Sequence, residues 1–124
     1  MPIPDHYSPV MPYFIVSDAE AFIAFLTVVF DAAEILRVNA DDGSAMHCEY
    51  SINGGTVMFG QSSDEWKPAA SSVYVVTDAV DETYRKALET GSSSLQEPGD
   101  RGYGRAAGFE DKFGNLWWLN TPGE

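Results

Sequence analysis

Apolar residues recur along this chain with two different periods, and the switches between them mark out the elements. Met11 to Val16 is a short apolar run that reads as a strand. Ser17-Asp18-Ala19-Glu20 follows with the spacing of a capping box, in which the Ser17 hydroxyl and the Glu20 carboxylate satisfy free amides at a helix start. Phe22, Phe25, Leu26 and Val29 then fall at helical spacing, which predicts a helix with one buried face. Ile35 to Val38 reads as a second short strand, ended by Asp41-Asp42-Gly43. Ala45 to Ile52 alternates as a strand, Asn53-Gly54-Gly55 is a tight turn because Asn and Gly tolerate positive φ, and Thr56 to Gln61 returns.

Residues 62–70, SSDEWKPAA, form a polar linker, and beyond it the pattern starts again. Val73-Tyr74-Val75-Val76-Thr77-Asp78-Ala79 lines up with Tyr13-Phe14-Ile15-Val16-Ser17-Asp18-Ala19 at an offset of 60 residues, and the same offset sets Gly54 beside Gly114. A second helix is expected from Asp78 to about Thr90, with Val80, Tyr84, Ala87 and Leu88 on one face and Gly91 as its stop. The stretch from Arg101 to Asn120 reads as a β-hairpin turning at Asp111-Lys112-Phe113-Gly114-Asn115. Adjacent strand residues point to opposite faces, so one of Trp117 and Trp118 belongs to the core and the other faces away from it. The chain is thus expected to be a single α+β domain, residues 1–124, made of two tandem βαβββ modules at 11–61 and 71–120.

Composition narrows the function. A chain of 124 residues that is 44% apolar and 13% aromatic can bury a core without disulfides, and Cys48 is the only cysteine. The formal charge of −12, from 19 acids and 7 bases, speaks against nucleic acid or an anionic membrane as a partner and either attracts cationic ligands or serves solubility alone. No apolar run approaches the roughly 18 residues a membrane helix needs, and the opening MPIPDHYSPVMP lacks the features of an export signal, so the expected location is cytoplasmic. No Ser-His-Asp order, phosphate loop or CxxC motif is present.

The paired modules, Val16-Ser17-Asp18 at the first helix start, Tyr103-Gly104-Arg105, and Asp111-Lys112-Phe113-Gly114-Asn115 with Trp117 beyond it together resemble the vicinal oxygen chelate superfamily. That superfamily holds glyoxalase I, extradiol dioxygenases and bleomycin-resistance proteins, and the resemblance covers about residues 10 to 122. It implies antiparallel sheets curled into half-barrels, helices outside, a ligand in the cup and, commonly, a dimer. It also implies a divalent metal held by one side chain from the first and last strand of each module. Those positions carry Met11, Met58 or Phe59, Ser71 and Trp118 here. A thioether, a hydroxyl and aromatic carbon are not ligands for such a metal, so no cofactor is expected.

By the same register Trp118, Leu116 and Asn120 should face the cup, as should Met11, Tyr13 and Ile15, and Ser71, Val73 and Val75, while Trp117 and Leu119 pack toward the helices. His47 and Glu49 lie two apart on one strand face, either as a relocated metal or proton-transfer site or as a structural pair. His6, in the Pro-rich arm, is expected to be exposed. Trp66 is a lid, a dimer contact or a ligand platform. Tyr103 and Arg105 either clamp a ligand or serve in a structural ion pair. Cys48 is expected to be a buried small hydrophobe.

The expectation is a metal-independent, homodimeric small-molecule binding protein that sequesters an aromatic or peptidic antibiotic, its ligand planar and cationic. Trp118, Trp66, Tyr13, Phe59, Met11, Met58, His47, Tyr103 and Arg105 are the candidate contacts. The alternatives are a glyoxalase- or dioxygenase-like enzyme with its metal displaced to His47 and Glu49, or an accessory subunit whose cup holds a peptide.

Overall fold

Two four-stranded sheets carry the whole architecture, and the computed structural model describes residues 2–123 of it. In chain order the elements are β1 (Tyr13–Val16), α1 (Ala19–Phe30), β2 (Ala33–Asn39), β3 (Ala45–Ile52), β4 (Gly55–Gln61), β5 (Ser72–Val76), α2 (Val80–Glu89), β6 (Ser93–Arg101), β7 (Gly104–Glu110) and β8 (Leu116–Pro122). The sheets have the equivalent orders β1-β4-β3-β2 and β5-β8-β7-β6. The first strand of each module runs parallel to the last, and the other pairs are antiparallel. This is the α+β, two-module fold that the repeat implies, with neither sheet closed into a barrel.

The first helix starts one residue later than its capping box suggests. Asp18, in extended conformation, is the N-cap and its Oδ1 accepts from the Ala21 amide at 3.0 Å. The Gln61 side chain takes over what Ser17 and Glu20 were expected to do. Its Oε1 accepts from the Ala19 amide at 2.9 Å and its Nε2 donates to the Ser17 carbonyl at 2.6 Å. Glu20 is thereby free to pair with Arg37 of β2. α1 ends at Asp31, whose left-handed φ of 52° lets its own amide reach the Thr27 carbonyl and the Ala32 amide reach that of Leu26. The Asn53-Gly54 turn has φ of 50° and 85°, and Gly91 closes α2 at φ 104°, where a side chain would be strained.

An aromatic cluster joins the modules. Phe22 of α1 meets Phe59 of β4 edge-on at 5.0 Å and Phe113 of the last turn at 5.2 Å. Phe30 lies 4.7 Å from Trp117, and Phe14 stacks on the same indole at 5.5 Å. Phe14, Phe22, Phe59, Phe109 and Trp117 are fully buried, each burial contributing about 1.5–3 kcal/mol. Helix α1 therefore packs its own sheet and the other module together, and the outer face of each sheet points away from this core.

Strand pairing decides which residues share those outer faces. In the first sheet Phe14 pairs with Phe59 on the core side, whereas Tyr13 pairs with Met58 and Met58 with Glu49 on the outer side. In the second sheet Val73 pairs with Trp117 and Val75 with Leu119, so both valines lie on the core side. The outer face is formed by Ser72, Tyr74 and Val76 alongside Leu116, Trp118 and Asn120. The placement of Val73 and Val75 in the cup is thus corrected by one residue. Val73-Tyr74-Val75-Val76 is apolar at both parities, so alternation has nothing to choose by, and the register with β8 decides.

Candidate functional site

The outer face of the first sheet forms the floor of a cavity of about 850 Å³. Tyr13 and Ile15 of β1, His47 of β3 and Gly60 of β4 make the floor. The β2–β3 turn supplies one wall with Asp42 and Ser44, and residues 61–66 supply the other, ending at Trp66. Trp66 is 62% exposed at the rim, held in place because its amide donates to Ser63 Oγ at 3.0 Å and its carbonyl accepts the Ser63 amide at 2.8 Å. Two carboxylates, Asp42 and Glu65, also line it. Ser44 donates its hydroxyl and its amide to Asp42 Oδ1 at 2.6 and 2.9 Å, and these bonds hold the Asp42 carboxyl below the usual range.

Glu49 lies on the same sheet face as His47 and is sealed, 1% exposed. His47 Nε2 and the Tyr7 hydroxyl reach its Oε2 at 2.8 and 2.6 Å, and His6 Nε2 reaches its Oε1 at 2.7 Å. Burial disfavours the charge of Glu49, but the three donors, in the order His6, Tyr7 and His47, outweigh it and hold the carboxyl at about 2. His6 is accordingly not an exposed arm residue. Its backbone carbonyl accepts from Thr56 Oγ1 at 2.5 Å, and its ring belongs to the buried Glu49 cluster. The other nitrogen of His47, Nδ1, lies 3.2 Å from the Tyr13 hydroxyl, with the two rings stacked at 5.7 Å.

The structure gathers only some of the candidate residues. Tyr13, His47 and Trp66 line the cavity, and Met58 shares its sheet face beside Tyr13 and Glu49. Met11 is half-buried just ahead of β1. Phe59 is in the core against Phe22 and Tyr50, fully buried and facing away from the cavity, so it is not available to a ligand there. Trp118 lies on the outer face of the other sheet, its indole N–H donating to Ser72 Oγ at 3.0 Å and its ring lying over Gly108. Tyr103 is exposed in the β6–β7 turn. Arg105 is engaged by Asp81 at 2.6 Å and Asp100 at 3.0 Å, so the structural ion pair, not a clamp, describes it. Cys48 is fully buried on the core side, opposite Phe59.

Sequence reasoning did not find Asp42, Met46, Ser63 or Glu65 as cavity residues, nor His6 and Tyr7 as partners of Glu49. The Asp41-Asp42-Gly43 turn was visible, but its lean toward the sheet face was not, and nothing local links the arm to a carboxylate 43 residues away.

The metal of related enzymes does not fit these residues. The four inherited positions offer the thioethers of Met11 and Met58, a hydroxyl and an indole, and among the described residues no three His, Cys, Asp or Glu side chains converge in a metal-holding arrangement. Among the described residues, no helix is long and apolar enough to cross a membrane.

The fold recurs in solved structures. TioX from Micromonospora sp. ML1 superimposes with a TM-score of 0.77 at 23% identity, over 94% of this chain and 99% of that one. The fosfomycin resistance protein FosX from Mesorhizobium loti does so with a TM-score of 0.66 at 22% identity, over 98% and 95%. In sequence, an uncharacterized protein of Mycobacterium bovis is 29% identical over 123 residues, 90% of this chain and 81% of its own length. A Mycobacterium tuberculosis counterpart matches at the same identity over 72% of its length. The family model for the Glyoxalase/Bleomycin resistance protein/Dioxygenase superfamily matches residues 4–119, nearly the whole chain, and the protein belongs to that superfamily.

Proposed function

We propose that this protein binds and sequesters a small planar, cationic organic molecule of the aromatic or peptidic antibiotic kind, in the cytoplasm and without a metal. The observation that carries this reading is the cavity itself. An indole at the rim and a phenol on the floor offer flat surfaces to stack on, and Asp42 and Glu65 give the walls a negative potential. The description of the matching family, which names bleomycin resistance proteins beside enzymes, is in keeping with a drug-binding role. Both His47 nitrogens already have partners and Glu49 is sealed beneath the arm, which weighs against a metal displaced to that pair.

Homodimerisation is part of the proposal. The outer face of the second sheet leaves Tyr74 58% and Val76 56% exposed beside Trp118, an apolar surface that a second copy would cover. A dimer of this kind would bring Trp118 to a cup that it does not reach within one chain.

Fluorescence titration with a panel of planar cationic dyes and antibiotics tests the reading, with sedimentation of the same samples. Micromolar binding that quenches tryptophan and survives chelator supports it. Lack of quenching across the panel, or binding that chelator abolishes, overturns it.

A further inference from the structure

We propose that His47, oriented by Glu49, sets the direction of the Tyr13 hydroxyl, so that its oxygen faces the cavity as a hydrogen-bond acceptor and selects ligands presenting an N–H or O–H at that point. The inference rests on the cavity being the ligand site and goes beyond it in stating what the floor recognises.

The tautomer follows from bookkeeping of donors. Glu49 is a buried carboxylate and can only accept, so the His47 nitrogen 2.8 Å from it, Nε2, carries the hydrogen. Neutral His47 then has a bare Nδ1, which accepts from the Tyr13 hydroxyl at 3.2 Å. The phenolic hydrogen is committed inward, and what Tyr13 shows the cavity is oxygen lone pairs. Gly60 helps keep that position open, since a Cβ there would sit 3.4 Å from the Tyr13 oxygen.

Two measurements test this. Nitrogen-15 spectra of the histidine rings, assigned with His6→Ala, should show neutral His47 as the Nε2–H tautomer. Tyr13→Phe should then move the Nδ1 signal and leave Nε2 in place. An Nδ1–H tautomer, or an Nδ1 signal that ignores Tyr13→Phe, overturns the proposal. The second measurement compares proflavine, which carries exocyclic N–H donors, with acridine orange, a planar cation whose exocyclic nitrogens are methylated. Tyr13→Phe should weaken proflavine about five- to tenfold at a pH where His47 is neutral, and leave acridine orange within about twofold. Equal changes for both dyes overturn the selectivity. If neither dye binds the wild-type protein, the sequestration reading fails for this ligand class, and the ring-nitrogen spectra alone decide for or against the hydroxyl's direction.

Discussion

The indole nitrogen of Trp117 donates to Oδ2 of Asp111 at 2.8 Å, inside the core. Asp111 also accepts from the amides of Phe113 and Asn115 at 2.8 and 2.9 Å and from the Asn115 side chain at 2.9 Å. Asn115 passes the connection on, accepting from the Ser71 amide at 2.9 Å where β5 begins. The Asp-x-Phe-Gly-Asn-x-Trp stretch is therefore a structural knot tying the last turn to the core indole and to the head of the second module. Asp111→Ala strands four donors, and the expected cost is about 2–4 kcal/mol, seen as a lowered urea midpoint and a red-shifted, more quenchable tryptophan emission.

Glu49 gives the fold an acid-side dependence. Its carboxyl sits at about 2 in the folded chain, against an ordinary value of 4.5. The unfolded chain thus takes up the proton first as pH falls, so the stabilisation is complete above about pH 4.5 and lost as pH drops toward 2. Its size is about 3 kcal/mol. Thermal melts between pH 2 and 6 should show this slope in the wild type and a flatter one in Glu49→Gln.

Gly60 is constrained by backbone. A Cβ there would meet the Met46 carbonyl oxygen at 2.4 Å, a contact that a side-chain rotation cannot relieve. Gly60→Ala should force β3 and β4 apart locally, cost about 1–3 kcal/mol in denaturant melts and weaken dye binding in the cavity that both strands floor.

The two partly exposed tryptophans should behave differently. Trp66→Ala removes the stacking surface at the rim and should weaken planar dyes by about tenfold at any protein concentration. Trp118 lies on the other sheet, so Trp118→Ala should affect binding only where the protein is dimeric. Titrations over a wide range of protein concentration, with the mass in solution followed by sedimentation, separate the cases.

Arg105 offers a control. Its guanidinium is held above its ordinary range by the hydrogen bonds it donates to Asp81 and then Asp100, both carboxylates being exposed to water and Arg105 partly so. Arg105→Ala should leave dye affinity unchanged and the melting temperature nearly so, as expected of screened surface pairs.

Local periodicity determined the elements, because a strand or an amphipathic helix writes its buried face into its own residues. The 60-residue repeat, the Asn53-Gly54 turn and the stop at Gly91 were all legible that way, whereas alternation put one of Trp117 and Trp118 in the core and the family resemblance chose Trp117. What stayed hidden depends on partners distant in sequence. The face taken by Val73 and Val75 waited on pairing with β8, and the choice between Met58 and Phe59 waited on pairing with β1, since both stretches are apolar at either parity. The start of α1 depended on Gln61, more than forty residues away. The cluster of His6, Tyr7, His47 and Glu49, and the Tyr13 hydroxyl that it steers, exists only because folding brings the arm, β1 and β3 onto one sheet face. Hydrogen bonds between residues so far apart leave no periodic trace in a sequence, and only the tertiary structure decides them.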